Sequence, residues 1–416
     1  MTLHLVELFN KKAQAHYAKH TGINVDIQNI GKNTDLIAVK EIKHSQEIKP
    51  GVWFEKNVVN FRDGNFANTY DLYWNPNQIG LLPAIHSSNR PYSLFNHTKR
   101  DPSIISTING SFYFLTDIAD SRPQDMPYDF CIRDNKIIGL PSSDEAIIYI
   151  QNDKLHTKEI VAQGMMEIGD NKIQWCGTKS KSRNENKAIL YNSKCANIIR
   201  IREEKTNVQI GILDNTSIRT PKQEGVFDLV VVKNKAGVLR IKQINKGGGT
   251  HFFSGIFILQ IKGDVKKFKK GDIVKPLLLD DLKLDSITSG MTIGKKVTDP
   301  YFLKSGIGEN RDARSIVAED INGHIHLTVF DGSKYIPGFR GVSAKEIAKF
   351  YSRKKYKWAY FLDGGGSTRL IIREHKKLKA YANYIAFRKL KNGMFLWDWR
   401  RARQIASSIS LHMVKN

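Results

Sequence analysis

Residues 358–372 contain the feature that most constrains the fold, because a short aromatic run ends in Asp363, passes through three glycines and two hydroxyl residues, and resumes as a β-branched run. This pattern predicts two strands joined by a tight loop, with Asp363 at the end of the first strand. Gly364, Gly365 and Gly366 carry no Cβ atoms, so a ligand can approach the backbone N–H groups of the loop. Such a loop suits an anionic or sugar-bearing substrate. The alternative is a glycine-rich turn whose Asp accepts turn N–H groups.

The charge balance of the 416-residue chain predicts anionic partners. Lys and Arg (65) outnumber Asp and Glu (41) by 24, which gives the surface a positive field. Polyanionic glycans and nucleic acid are natural partners for such a surface. The alternative is a generally solubilising basic surface, since the charge is spread along the chain and forms no long tail.

Cysteine usage and hydropathy bear on the compartment. The chain has three cysteines, Cys131, Cys176 and Cys195, whose spacing predicts neither a disulfide framework nor a zinc site. No apolar stretch approaches the roughly 18 residues of a membrane span, and the first residues lack the pattern of an export signal. We therefore expect a soluble, cytoplasmic protein without a transmembrane segment. A signal peptide removed before residue 1 would instead make it secreted.

The first 47 residues are predicted to form a helical extension. Thr2 can cap a helix that runs to about His20, and Gly22 follows as a C-terminal stop. Residues 48–416 then alternate short β-branched runs with Asn, Pro, Gly and Asp clusters, which predicts one strand-rich domain.

The last quarter of the chain has the clearest pattern. Residues 314–319 and 324–330 predict a hairpin around an Asn-Gly turn, and Asp331 follows its second strand. A capping box beginning at Ser343 opens a helix that leads back to the strand before Asp363. This unit predicts a mixed α/β (α+β) domain that brings both aspartates to strand ends, where open sheets commonly bind ligands.

The chain contains an ordered set of short sequence motifs. They are Asn109-Gly110-Ser111-Phe112-Tyr113, Ala313-Arg314-Ser315, Val329-Phe330-Asp331-Gly332, the helix of residues 343–350, Leu362-Asp363-Gly364-Gly365-Gly366-Ser367-Thr368, and Arg403-Gln404-Ile405-Ala406-Ser407-Ser408-Ile409. Together they resemble the phosphodiester glycosidase family, and the likeness extends over residues 49–412.

The resemblance implies both a fold and an activity. It implies a mixed, strand-rich α/β sheet domain that hydrolyses a sugar-1-phosphodiester at the anomeric carbon, releasing an N-acetylglucosamine-like sugar from a phosphate-linked carrier. Ser111, Ser315 and Arg369 depart from the family pattern, which has Gly, Thr and an apolar residue at these positions. Of these departures, Arg369 is the one that would alter the substrate.

The chemistry of that reaction assigns roles to the motif residues. Cleavage of an anomeric C–O bond passes through an oxocarbenium-like state that carboxylates stabilise, so Asp363 and Asp331 are the catalytic candidates. Arg314 and Arg403 would neutralise the phosphate leaving group. For each aspartate, the alternative is a structural carboxylate in a turn. The candidate substrate-binding residues are Asn109, Gly110, Ser315, Gly332, Gly364, Gly365, Gly366 and Ser367.

Two other classes of function remain open from the sequence. A phosphodiesterase that attacks phosphorus would use similar arginines with a metal cluster, and a non-catalytic sugar or polyanion binder would explain the charge. His324 and His326 alternate on one strand and could bind a metal, although satisfied strand histidines are more common. No cofactor is evident from the sequence, and a divalent cation is left open.

Overall fold

The structure is a computed structural model, and it describes residues 38–60, 66–111, 129–184, 186–195, 198–202, 209–213, 218–332, 340–353, 355–382, 387–389, 395–397 and 405–414. Its helices are α1 Leu94–Arg100, α2 Pro300–Leu303, α3 Gly306–Glu309 and α4 Ala344–Arg353.

Strands make up most of the described chain. In its first half they are β1 Ala38–Lys49, β2 Val52–Asn60, β3 Phe66–Trp74, β4 Leu81–Tyr92, β5 Ile104–Asn109, β6 Cys131–Arg133, β7 Lys136–Gly139, β8 Glu145–Gln151, β9 Lys154–Ile160, β10 Gln163–Ile168, β11 Asn171–Gly177, β12 Ala188–Tyr191, β13 Ile198–Arg202 and β14 Gln209–Leu213. In its second half they are β15 Val226–Lys233, β16 Leu239–Lys246, β17 Phe257–Lys262, β18 Val274–Leu279, β19 Leu282–Lys283, β20 Ser289–Ile293, β21 Arg314–Asp320, β22 Ile325–Phe330, β23 Tyr356–Phe361, β24 Arg369–Glu374, β25 Lys377–Ala382, β26 Phe387–Lys389, β27 Phe395–Trp397 and β28 Ile405–Met413.

These strands form four larger sheets and two isolated pairs, β13-β14 and β26-β27. Sheet 1 has the order β1-β2-β3-β22-β21-β23, sheet 2 the order β25-β24-β5-β28-β4, and sheet 3 the order β7-β6-β20-β8-β9. Sheet 4 has the order β16-β15-β17-β12-β11-β10-β18-β19 and includes a parallel pair, β11 with β12. The strand-rich, mixed-sheet character that the sequence predicts is therefore present.

Sheet 1 is covered by apolar cores on both faces. On one face, Leu327 and Leu362 pack against Leu370 and Ile409 of sheet 2 in a shared core. On the other face, a second core contains apolar residues of α4 and of sheet 1, namely Ile347, Phe350, Ile316, Phe330 and Phe361. Because successive strand residues point to opposite faces, neighbouring residues of β21, β22 and β23 belong to different cores.

Two local predictions for the last quarter of the chain are confirmed. β21 and β22 pair as an antiparallel hairpin, and its turn is held by Asp320 Oδ1, which accepts the backbone N–H groups of Asn322 and His324 at 2.9 Å each. At the start of α4, Ser343 N donates to Glu346 Oε2 (2.8 Å) and Glu346 N donates to Ser343 Oγ (3.3 Å). This reciprocal pair is the predicted capping box.

The predicted N-terminal helical extension is not supported. Residues 1–37, which include the predicted helix, lie outside the described residues. The next segment is β1, which pairs antiparallel with β2 and runs across the predicted domain start at residue 48. Pairing with a neighbouring strand decides the conformation here, because the local sequence pattern is mixed and strand preference depends on tertiary context. The division into residues 1–47 and 48–416 stays a prediction. None of the described helices has the length and hydrophobicity needed to cross a membrane.

Three histidines meet beside α1, where β4 and β28 lie next to each other. The ring centroids of His86 and His97 are 4.5 Å apart, and the Nε2 atoms of His86 and His412 are 3.4 Å apart. Ser103 Oγ donates to Asp101 Oδ1 (2.6 Å) and lies 3.0 Å from His412 Nδ1, so His412 donates its Nδ1–H to that hydroxyl. Burial lowers the pKa of all three imidazoles, and the pKa of His86 falls to about 4 because its two histidine neighbours add to the effect.

We predict that the free energy of unfolding rises with pH between about 4 and 6.5. His86 has a pKa of about 4 in the folded state, against 6.5 for the free side chain, so the unfolded chain binds more protons in this interval. Folding is then opposed as the pH falls. Urea unfolding at several pH values measures the slope. The variant His86→Gln should flatten it, and the same substitution at the exposed His375 is the control. A slope that survives His86→Gln unchanged would contradict this assignment.

Candidate active site

The candidate site lies at one end of sheet 1, where three strand ends meet. β21 pairs antiparallel with β22 through Arg314 and Phe330, and antiparallel with β23 through Ile316 and Phe361. The start of β21 therefore lies at the same end of the sheet as the C-terminal ends of β22 and β23. Asp331, directly after β22, and Asp363, two residues after β23, come to this end of the sheet, and the sequence predicted both strand-end positions.

The Asp363 loop is fixed to both sheets through its backbone. Asp363 N donates to Gly110 O (2.9 Å), and Gly365 N donates to Ala313 O (2.9 Å). Asp363 Oδ1 accepts the N–H of Gly364 (2.9 Å), which sets the direction of the carboxylate. Gly365 has φ +58°, a left-handed conformation that favours glycine. The loop is thus a rigid turn held over the start of β21.

Asn109 joins the strands around the site through its side-chain amide. Its Nδ2 donates to Asp363 O (2.7 Å), and its Oδ1 accepts from Ser315 Oγ (2.6 Å) and from Arg369 N (2.9 Å). The residue is 0% exposed. The amide oxygen accepts two hydrogen bonds and the amide nitrogen donates one, so the Asn109 side chain holds together the strands and the loop that form the site. Substrate binding by Asn109 and Ser315 stays a prediction.

Gly110 and Ser111 lie against β28. A Cβ atom at Gly110 would lie 2.6 Å from Ser407 Oγ and 2.8 Å from Ser407 C. Ser111 N donates to the same hydroxyl at 2.8 Å. The close approach of two strands therefore explains this glycine without a ligand.

The guanidinium of Arg314 uses part of its hydrogen-bonding capacity on backbone carbonyls of the protein. Its Nη2 donates to Ile307 O (2.6 Å) and Asn310 O (2.8 Å), two carbonyls at the end of α3. Its Nη1 faces the other way and lies 3.6 Å from the position of a Cβ atom on Gly364. Arg314 therefore holds a positive charge directly beneath the glycine loop.

Two carboxylates act on that guanidinium. Burial lowers the pKa of Arg314, while the charges of Asp312 and Asp363 raise it. Asp312 is not among the residues that the sequence analysis singled out. Its carboxylate lies against the loop, with Oδ2 3.2 Å from the position of a Cβ atom on Gly365. The sequence feature that could have identified Asp312 is its position directly before the Ala313-Arg314-Ser315 motif.

Asp331 is at the predicted strand end but is fully buried. Its Oδ1 accepts the N–H of Asn68 (2.8 Å) and the Asn68 side-chain amide (3.2 Å), while Asp331 N donates to Asn68 O (2.9 Å). Asn68 is two residues from Tyr70, which packs in the core between sheets 1 and 2. The Asp331 carboxylate therefore points between the sheets, and its catalytic role stays a prediction.

Gly332, the residue after Asp331, lies in close contact with the backbone at Gly341. Gly332 has φ +141°, and a Cβ atom on it would lie 2.2 Å from Gly341 Cα. Packing of two chain segments requires this glycine, and its predicted contact with substrate is untested.

Three hydroxyls in the site motifs are buried and have no hydrogen-bond partner among the described residues. They are Ser111 Oγ, Ser367 Oγ and Thr368 Oγ1. Buried polar groups are nearly always satisfied by protein, water or ligand, so each of these hydroxyls is available to a bound molecule. Ser367 was predicted as a substrate-binding residue. Thr368 and Ser111 were quoted only as motif members.

The remaining predictions about the site concern Arg403 and metals. Arg403 lies outside the described residues, so its role stays a prediction. Within the described ranges, no three or more His, Cys, Asp or Glu side chains are grouped so as to hold a metal ion. His326 Nδ1 lies 2.9 Å from Asp71 Oδ2, and His324 Nδ1 lies 3.2 Å from Asp320 Oδ2. These two histidines thus have carboxylate partners on the protein.

Comparison with solved structures shows likeness in fold at low identity. A hypothetical protein from Synechocystis matches at 16% identity and TM-score 0.53, covering 90% of this chain and 64% of its own length. A Burkholderia pseudomallei K96243 protein presumed to be exported matches at 15% identity and TM-score 0.49, covering 84% of this chain and 74% of its own. The auto-inhibited catalytic domain of zebrafish N-acetylglucosamine-1-phosphodiester alpha-N-acetylglucosaminidase matches at 13% identity and TM-score 0.39, covering 93% and 86%.

The likeness to the Synechocystis protein indicates a shared fold, and the chain spans 64% of that protein's length. No protein of curated function is significantly similar to the chain in sequence.

A family model gives the finding that bears on identity. The model described as phosphodiester glycosidase matches residues 196–397. This segment contains Arg314, Asp331 and the whole Asp363 loop, whereas Asn109 and Arg403 lie outside it. The resemblance of this chain to the phosphodiester glycosidase family is therefore confirmed, over residues 196–397.

Proposed function

We propose that this protein hydrolyses a sugar-1-phosphodiester at the anomeric carbon and releases an N-acetylglucosamine-like sugar. The observation that carries the proposal is the Asp363 loop, a carboxylate and a glycine turn fixed above the buried charge of Arg314. The family match over residues 196–397 includes all of these groups and supports the same reaction class.

The geometry suits a reaction at carbon. As the bond to phosphate breaks, positive charge develops at the anomeric carbon, and the Asp363 carboxylate would stabilise it. A phosphate leaving group departs as an anion and needs little protonation, so the positive charge of Arg314 can assist its departure. The buried hydroxyls of Ser111, Ser367 and Thr368 would bind sugar hydroxyls or phosphate oxygens.

The position of the bond cleaved tests the proposal against its main alternative. Hydrolysis in water labelled with heavy oxygen should place the label on the anomeric hydroxyl of the released sugar and leave the phosphate monoester unlabelled. The reason is that water attacks carbon in a glycosidase and phosphorus in a phosphodiesterase. Mass spectrometry directly after quenching measures this before the free sugar exchanges its oxygen. Label in the phosphate would instead identify a phosphodiesterase.

A second prediction concerns the carrier of the sugar phosphate, which we propose to be polyanionic. The loop between β17 and β18 exposes four lysines, Lys266, Lys267, Lys269 and Lys270. Binding of a polyanion at such a cluster releases counterions, so affinity should fall steeply as salt rises.

The experiment compares the salt dependence of KM for a polyanionic carrier in three proteins. Replacing the four lysines with glutamate should raise KM at low salt and flatten its salt dependence. Replacing them with arginine, which keeps the charge, should preserve both. A flat response in the unmodified protein would rule out the polyanionic carrier and would not affect the reaction class.

A further inference from the structure

We propose that Asp312 is the second carboxylate of the active site and that it acts there with Asp363, while Asp331 has a structural role. This inference rests on the proposed function, and it follows from where the three carboxylates point.

The backbone of Asp312 is held by a reciprocal pair of hydrogen bonds with Val342, just before β21. Asp312 N donates to Val342 O (3.2 Å), and Val342 N donates to Asp312 O (2.9 Å). Gly341 packs so closely that a Cβ atom on it would lie 2.4 Å from Asp312 O. The backbone position from which this carboxylate extends is therefore fixed, as the precise placement of a reacting group requires.

The side chain of Asp312 lies over the glycine loop. The three heavy atoms nearest to a Cβ atom on Gly365 would be Oδ2, Cγ and Oδ1 of Asp312, at 3.2, 3.7 and 4.0 Å. Its Oδ1 accepts the N–H of Ala313 at 2.9 Å, so Oδ2 is the oxygen closer to the loop. Because Gly365 has no side chain, nothing on that residue stands between Oδ2 and a ligand above the loop.

Asp312 and Asp363 share one counter-ion. Both raise the pKa of the buried Arg314 guanidinium, so both carboxylates lie within its electrostatic reach. Asp312 is half-buried beside the loop, and a carboxylate in such a position can accept a proton from a water molecule.

Asp331 differs from Asp312 in each of these respects. It is 0% exposed, and its Oδ1 accepts both a backbone and a side-chain N–H of Asn68. Asp331 and Asp363 follow strands that flank β21, so their backbones are separated by two strand spacings, about 10 Å. Asp312 belongs to the segment that leads into β21, the strand next to β23, so it lies one strand spacing from the glycine loop that follows Asp363, with its carboxylate beside Gly365.

The geometry assigns the following step to Asp312. Asp312 Oδ2 accepts a proton from a water molecule as the water oxygen bonds to the anomeric carbon. The bond from that carbon to the phosphate oxygen breaks, and its electron pair leaves with the phosphate monoester. Asp363 stabilises the positive charge that develops on the carbon as the bond to phosphate lengthens, before the water oxygen has fully bonded. The proton on Asp312 then passes to solvent.

The test compares Asp312→Asn, Asp363→Asn and Asp331→Asn by kcat on a sugar-1-phosphodiester and by thermal unfolding. We expect kcat to fall about 100-fold or more for the first two, the range for loss of a general base, with Tm close to that of the unmodified protein. Asp331→Asn should lower Tm, because a neutral amide cannot accept both Asn68 donors as strongly.

A second variant separates catalysis from structure. Asp312→Gly should regain activity when formate is added, because formate can occupy the space and accept the proton, whereas a residue with a structural role would show no such rescue. If Asp363→Asn is inactive while Asp312→Asn keeps full kcat, or if formate has no effect on Asp312→Gly, the inference is overturned and the proposed function stands. If the unmodified protein shows no hydrolysis, both are overturned.

Discussion

The candidate site depends on the hydrogen bonds of one buried amide, the side chain of Asn109. It is linked to residues that are 206, 254 and 260 positions away in sequence, and it joins β5 and β24 of sheet 2 to β21 and the Asp363 loop of sheet 1. Leaving one of its partners unsatisfied in this core would cost about 1–3 kcal/mol. Apolar packing between sheets 1 and 2 is non-directional, and the hydrogen bond from Asp363 N to Gly110 O is a further directional link at this point. The amide therefore supplies the orientation that packing alone cannot, and it fixes the position of Asp363 relative to β21.

Glycines have two different uses around this frame. Gly110 and Gly332 allow two chain segments to approach, since a Cβ atom on either would lie under 3 Å from a backbone atom. Gly365 instead allows a carboxylate to lie against the loop, because the nearest neighbours of a Cβ atom on it would be side-chain atoms of Asp312. The sequence shows the same residue type in each case. The difference is visible only when the opposing segment is known, because the cost of a Cβ atom depends on what it would contact.

The sequence allowed the local parts of this site to be predicted. The β21–β22 hairpin, the capping box at Ser343 and the strand-end position of Asp363 each depend on residues within a few positions of one another. The roles of Asp331 and Asp312 depend on longer connections. Asp331 is held by Asn68, 263 positions away, so no local pattern indicates that its carboxylate is buried between sheets. Asp312 gains its position from the register of β21 against the Asp363 loop, and pairing register is set by the whole sheet. The sequence likewise did not indicate β1, whose strand conformation depends on its pairing with β2. The helix predicted from Thr2 to about His20 lies outside the described residues and is not supported.

Charge is arranged differently at the surface and at the site. The chain has an excess of 24 positive charges, yet the carboxylates of Asp312 and Asp363 lie at the loop, where both act electrostatically on Arg314. A phosphodiester would be attracted by the surface field but repelled by the two carboxylates, and this repulsion would orient it. The anionic phosphate would turn toward Arg314 and the buried hydroxyls, leaving the anomeric carbon beside the carboxylates. That is the orientation in which positive charge developing on carbon is stabilised, so the same groups that disfavour other poses of an anionic substrate would favour its transition state.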